Sequence, residues 1–321
     1  MIIGHTRNLA YLSRVLERGT LAHAYLFQGP EGVGKRSVAL AVAKALLCER
    51  QRPELDSCGL CGSCRHVETL THPDLLILSP EQRLIEEESV EIGIKNIREL
   101  ARRLSLTPWA GGWRAVIIDQ AERVSREAQS ALLKTLEEPG SQVIFFLITS
   151  APGALLPTIT SRAVGLAFTP VDDALLGELL ADVPHARRAE LLGLAAGRPG
   201  MLARLIRDHG YAQALRLERA AFLKLLSSSL PEQLAAADRA SREPGWLESF
   251  LTFAIGELRS RLTAALDVEG ATFPAGAGVW GQAELLQRLG ERLVTISTVP
   301  VNRRLAVDGV FVELAARGIL R

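Results

Sequence analysis

Seven residues, Gly29-Pro30-Glu31-Gly32-Val33-Gly34-Lys35, limit what this chain can fold into more than anything else in it. They follow the apolar run Ala24-Tyr25-Leu26-Phe27-Gln28 and precede a helical pattern over Ser37 to Cys48. A glycine-rich turn between strand and helix aims successive backbone N–H groups and the positive end of the helix at one point. A lysine there reaches outer phosphates. The bland alternative is a glycine-rich turn with a solvated lysine. Four more apolar runs read as strands: Asp74 to Leu78, Ala115 to Asp119, Val143 to Ile148 and Val164 to Phe168. Between them, Ile94, Ile97, Leu100, Ala101 and Leu104 recur at helical spacing, and Ser125 caps a helix that Pro139-Gly140 closes. Strands alternating with helices predict an α/β core over residues 1–170, a parallel sheet flanked by helices and built on a P-loop.

Composition shifts after Pro170. Three short helices are expected over 171–209, broken at Pro184 and at Gly197-Arg198-Pro199-Gly200, as a small helical lid. Residues 210–321 read as an all-helical domain with a Gly/Pro-rich loop at 270–281 and apolar stripes such as Leu285, Leu286 and Leu289.

The 37 Lys+Arg residues balance 36 Asp+Glu, which excludes a grip on nucleic acid through whole-protein charge and leaves only a local basic patch. The longest uncharged run, Ser141 to Ser161, holds Pro152, Gly153 and Pro157 and makes a poor membrane helix. The opening residues lack a secretory pattern. The expectation is a cytoplasmic protein with no membrane partner.

The loop carries a defect. A working P-loop places Ser or Thr after its lysine, because the hydroxyl ligates magnesium. Here Arg36 stands in that place and Ser37 comes one residue late, rotated by about 100° on a helix of 3.6 residues per turn. The strand ending at Asp119 is followed by Gln120, which cannot take a proton from an attacking water. Gly29, Gly32, Gly34, Lys35, Arg36, Asp119, Gln120 and Thr149 therefore form a degenerate nucleotide site, with ATP/Mg2+ binding in question and no turnover by the chain alone.

All four cysteines lie between Cys48 and Cys64. Cys58, Cys61 and Cys64 are separated by two residues each, with Gly59, Gly62 and Ser63 among the spacers. Four thiolates can close a tetrahedral structural Zn2+ site, one ion per chain, and leave no open position for hydrolytic chemistry. Reduced thiols, a redox pair or an iron–sulfur cluster are the alternatives.

His23-Ala24-Tyr25-Leu26-Phe27, the P-loop, the cysteine cluster, Ala131-Leu132-Leu133-Lys134-Thr135-Leu136-Glu137-Glu138-Pro139 and Thr160-Ser161-Arg162 occur in that order. The chain resembles the delta-prime clamp-loader subunits of bacterial DNA polymerase III, AAA+ relatives, most clearly over residues 1–170. Val301-Asn302-Arg303-Arg304-Leu305 is similar to an element near that family's C-terminus. The resemblance implies a AAA+ core, a lid and a helical collar for oligomerisation. It also implies a non-hydrolysing stator that joins gamma/tau and delta subunits in a hetero-pentamer and helps load the sliding clamp on primer–template DNA. Ser161-Arg162-Ala163 resembles the family's Ser-Arg-Cys motif, with Ala163 replacing cysteine. That implies Arg162 as an arginine finger for a neighbouring site; otherwise it is a surface arginine in a salt bridge. Gly200 falls where motor subunits carry a nucleotide-sensing arginine. Lys95, Asn96 and Arg98, with Arg102 and Arg103 nearby, lie where family helices can follow DNA backbone phosphates, and a solvated charged face is the alternative. Two other readings are a gamma/tau-like active ATPase, from which Arg36 and Gln120 separate this chain, and a zinc-dependent nucleic-acid module on a relic core.

Overall fold

The uninterrupted apolar run from Val143 suits a strand buried on both faces, the environment a parallel sheet provides when helices cover each side. A computed structural model of the protein describes residues 2–50, 55–86, 91–109, 112–140 and 142–226, with isolated positions at 228, 232, 288, 289 and 309. Its five strands are β1 (Ala24–Gln28), β2 (Leu75–Leu78), β3 (Arg114–Ile118), β4 (Val143–Thr149) and β5 (Val164–Ala167). They form one parallel sheet in the order β2-β3-β4-β1-β5. Every residue of β2, β3 and β4 is buried, whereas the edge strand β5 is largely open to solvent.

Side chains alternate across the sheet and define two apolar layers. Tyr25, Phe27, Ile117, Ile144 and Phe146 face one layer, against Leu12 of α1 (Thr6–Glu17), Val38 and Val42 of α2 (Lys35–Leu47) and Val67 of α3 (Gly62–Glu68). Leu26, Val116, Ile118, Phe145 and Leu147 face the other, against Ile97 and Leu100 of α4 (Ile94–Leu104) and Leu132 and Leu136 of α5 (Arg126–Glu137). Aromatic rings knit the first layer: Tyr25 stacks on Phe146 at 6.0 Å, and Phe27 meets Phe168 at 4.8 Å. Each fully buried side chain of this size contributes roughly 1.5–3 kcal/mol.

Helix ends are tied by identifiable groups. Ser125 caps α5 by accepting the Ala128 N–H at 3.3 Å, as the sequence predicts. At the C-terminus of α4, unpaired carbonyls are a general problem. Here Arg114 Nη1 donates to the carbonyls of Arg103 (2.8 Å) and Leu104 (2.9 Å), while its Nε lies 3.4 Å from buried Asp74. That guanidinium bolts α4 to the sheet. Helices α1 and α3 are not among those expected from the sequence, and α2 begins two residues earlier than its pattern predicts because Gly34, not a side-chain cap, opens it.

After the short α6 (Pro157–Thr160) and β5 come α7 (Asp173–Leu176), α8 (His185–Ala195), α9 (Pro199–Arg207) and α10 (His209–Leu226). The chain divides into compact units Met1–Arg204 and Leu205–Arg321. Within the second, α10 and the buried Leu289 are described; Leu285, Leu286, the loop at 270–281 and Val301 to Leu305 lie outside the described residues. Among the described residues, no helix is long and apolar enough to cross a membrane.

Candidate functional site

Parallel strands deliver their C-terminal ends to one rim, and β1, β3 and β4 each end there in a chemically distinct residue set. Beyond β1 the Gly29–Lys35 loop turns into α2; beyond β3 stands Asp119; β4 ends in buried Thr149, paired with Gln28 of β1. The Gly29 N–H donates to the Thr149 carbonyl at 3.2 Å, and Thr149 Oγ1 accepts the Ala151 N–H at 3.0 Å. Lys35 is only 6% exposed and its ammonium donates to the carbonyls of Gly29 and Pro30. Burial lowers its pKa to about 8, against the charges of Glu122, Asp119 and Glu31, which favour the ammonium.

Arg36 reaches across to the β3 carboxylate: its Nη1 lies 3.3 Å from Asp119 Oδ2. Asp119 also accepts the Gln120 N–H at 3.1 Å. Burial still raises its pKa, outweighing the Arg36 charge and that N–H. Ser37, the displaced hydroxyl, is exposed, and the Gln120 amide lies 3.5 Å from Glu81. Thus a guanidinium occupies the carboxylate on which a metal would draw.

Helix α9 abuts this loop. Gly200, near the start of α9, donates its N–H to the Gly32 carbonyl at 2.8 Å. The approach needs two glycines: a Cβ on Gly200 would stand 2.9 Å from Gly32 O, and one on Gly32, where φ is +76°, would stand 3.1 Å from Met201 N. On the other side, His5 Nε2 donates to the Val33 carbonyl at 2.8 Å and its ring meets Phe168 edge-on at 4.8 Å.

In the turn between α6 and β5, Arg162 is half-exposed and bound within its own chain. Its Nη2 lies 2.6 Å from Glu137 Oε1, and its Nη1 donates to the Thr158 carbonyl at 3.0 Å.

The four cysteine sulfurs converge, all within 4.8 Å of one another, and can hold a metal ion. No disulfide joins them. A tetrahedral Zn–S bond of 2.3 Å requires sulfurs roughly 3.8 Å apart; Cys58 and Cys64 stand at 3.9 Å. Backbone N–H groups of Cys58, Cys61 and Cys64 donate to the sulfurs of Cys48, Cys58 and Cys61 respectively, at 3.4–3.5 Å. Backbone donors pull the Cys58 thiol down to about 6, and burial pushes Cys64 up to about 12. The donor set fits a soft divalent cation.

A profile of the family described as "DNA polymerase III, delta subunit" matches residues 4–172. The chain is 34% identical to the DNA polymerase III subunit delta' of Pseudomonas aeruginosa, over 96% of each chain. It belongs to the delta-prime family. It is also 35% identical to DNA polymerase III subunit tau of Escherichia coli over 53% of this chain and 25% of tau. A solved gamma subunit-related protein from Thermotoga maritima aligns with a TM-score of 0.41 and 17% identity, over 96% of this chain and 99% of the other. This family member has an α/β core, its parallel sheet flanked by helices, followed by helical segments.

The basic helix of this delta-prime family member is more divided than its sequence suggests. Lys95 and Arg98 are exposed on α4, but Arg102 and Arg103 both bind Glu99, at 2.7 and 2.9 Å, and hold its pKa down to about 2. Asn96 does not belong to a phosphate-contacting face. It is fully buried, its Oδ1 accepting the N–H groups of Leu84 and Ile85 and its Nδ2 donating to the Ile85 carbonyl, each at 2.9 Å. The correction has a simple cause: Asn96 lies four residues before buried Leu100 and so shares its helix face. Sequence reasoning also passed over Glu122. Its Oε1 accepts from Ser150 Oγ at 2.6 Å and its buried Oε2 has no partner. A carboxylate three residues beyond Asp119 was the available signal. Glu137, the partner of Arg162, sat unremarked inside the Leu-Glu-Glu-Pro segment.

Proposed function

We propose that this chain is the non-hydrolysing stator of a DNA polymerase III clamp loader. The observation that carries the reading is the Arg36–Asp119 ion pair at 3.3 Å, in a chain 34% identical to a named delta' subunit over nearly its whole length. It puts a fixed cation on the carboxylate that supports a metal in hydrolysing sites, and Gln120 supplies no base. In this reading residues 1–170 form the core, 171–209 the lid and 210–321 a collar that joins gamma/tau and delta subunits in a hetero-pentamer. The assembly works in the cytoplasm on a sliding clamp and primer–template DNA, with Lys95 and Arg98 meeting backbone phosphates. Cys48, Cys58, Cys61 and Cys64 hold one structural Zn2+, supported by the sulfur spacing. Arg162 leaves Glu137 on assembly and serves a neighbour's γ-phosphate, an effect generally of about 10³–10⁵ in rate.

Purified chain, assayed beside a Lys35→Ala control, should release no phosphate from ATP above that control. Tagged chain should recover gamma/tau and delta subunits from a reconstituted mixture. Arg162→Ala should enter the complex normally and slow ATP-dependent clamp loading. Lysine-dependent turnover by the isolated chain, or failure to join the other subunits, would sink the stator reading.

A gamma/tau-like ATPase is the second reading. The observation in its favour is Glu122, whose charge acts on Lys35 and whose free oxygen could polarise a water. The same phosphate-release assay decides between them, with Glu122→Gln as the discriminating variant.

A further inference from the structure

Arg162 hangs from a very short element. Helix α6 is a single turn that starts from Leu156, whose carbonyl accepts the N–H groups of Ile159 at 2.8 Å and Thr160 at 3.2 Å. Arg162 follows directly after Ser161, its own N–H on the Ile159 carbonyl at 3.1 Å. One turn of helix makes too few internal bonds to hold its place unaided. Something outside it has to fix where it begins.

Gln129 of α5 does so. It is 3% exposed and lies beside Val124, Leu132, Leu155 and Ile159 of the second apolar layer. Its Nε2 donates to the carbonyls of Val124 at 2.9 Å and Ala154 at 3.2 Å, and its Oε1 accepts the Leu156 N–H at 2.8 Å. Reversing the amide would set its oxygen against two carbonyls, so one orientation fits. Gln129 thus holds the N–H of the same residue whose carbonyl carries α6. Further along α5, Glu137 holds the guanidinium of Arg162 at 2.6 Å. One helix therefore grips the arginine segment at its root and at its tip. The two grips differ in kind: the Glu137 pair is half-exposed and exchangeable, whereas the Gln129 bonds are buried, where a lost bond finds no ready substitute in water. When the guanidinium turns to another partner, the root stays in place.

We infer that Gln129 is the positioning residue for Arg162, fixing the backbone from which the guanidinium is offered to a neighbouring subunit. The inference rests on the arginine-finger reading above and deepens it, because it names the residue that sets the finger's aim. A displacement of about 1 Å in a reacting group can cost about 10² in rate, so the aim of the guanidinium matters as much as its presence.

ATP-dependent clamp loading by the complex reconstituted with full-length chain tests this, with the maximal rate and the ATP concentration for half-maximal rate measured separately. Gln129→Met keeps the length and bulk of the side chain and removes all three bonds. It should enter the complex, lower the maximal rate by about tenfold and leave the half-maximal ATP concentration within about twofold, since a misaimed finger slows the chemistry without touching the bound nucleotide. In an Arg162→Ala background the same substitution should change the rate by less than about twofold, because no finger remains to be aimed. Leu156→Pro deletes one of the three bonds from the other side, at a φ of −59° that proline already adopts. It should give a smaller loss of the same kind, and it carries the test if Gln129→Met does not enter the complex. A full maximal rate in both variants, or a loss equally large with and without Arg162, would overturn the positioning role while leaving the finger reading intact. A full rate in Arg162→Ala alone would instead remove the finger reading, and the positioning role with it.

Discussion

Asn96→Ala removes a buried amide whose hydrogen bonds among the described residues include two from the N–H groups of Leu84 and Ile85 and one to the Ile85 carbonyl. Asn96 is fully buried on the covered face of α4, whereas its partner Ile85 is exposed, so water can reach only the partner side of these bonds. Each intramolecular bond contributes about 1 kcal/mol net, and a donor left buried costs about 1–3, so the expected loss is about 3 kcal/mol. Relaxation of the Leu84–Ile85 segment toward solvent lowers that figure toward about 2 kcal/mol. Denaturant unfolding of the full chain, followed by hydrogen exchange at the Leu84 and Ile85 amides, measures both the total and its location. Exchange at those two amides should accelerate far more than at β4. DNA affinity of the assembled complex should change no more than stability dictates. A loss under about 1 kcal/mol, with a selective fall in DNA affinity, would refute the assignment of Asn96 to the fold and restore it to the phosphate-contacting set.

Lys35 makes a pH prediction. Its folded pKa is depressed to about 8 by burial, while the unfolded chain keeps an ordinary lysine near 10.4, so between these values the unfolded state binds more protons. Stability relative to Lys35→Met should therefore rise as pH goes from about 8 to 10, and a flat difference would contradict the burial argument. Glu137→Gln breaks a half-exposed pair with Arg162 and should alter stability by no more than about 0.5 kcal/mol, yet it should change clamp-loading kinetics because it frees the guanidinium. Metal analysis of gently purified chain should find one zinc, and Cys64→Ser should lose it and destabilise the chain by ~2 kcal/mol or more in unfolding experiments.

The strands were readable because parallel sheets buried on both faces demand unbroken apolar runs, and Val143 to Ile148 and Ala115 to Ile118 supply them. Helix α5 announced itself with Ser125 at its start and Pro139-Gly140 past its end. The signals for α1 were present at Leu9, Leu12 and Leu16, at helical spacing, but Gly4 and His5 offer no ordinary cap; His5 instead turns its ring onto the P-loop. Helix α3 starts from Cys61, whose sulfur accepts the Cys64 N–H, and no propensity scale anticipates a thiol in that role. At the cradle, order along the chain exposed the misplaced hydroxyl at position 37. That Arg36 would lie on Asp119, 83 residues away, depends on strand order, which periodicity does not carry.

The two apolar layers end where the strands end, and neither includes Lys35, Arg36, Asp119 or Gln120. Chemistry at the rim can therefore drift without disturbing the folded architecture beneath it. Residues that decide what the rim can bind and residues that decide whether the sheet folds thus form separate sets, so that either can be altered while the other is left in place.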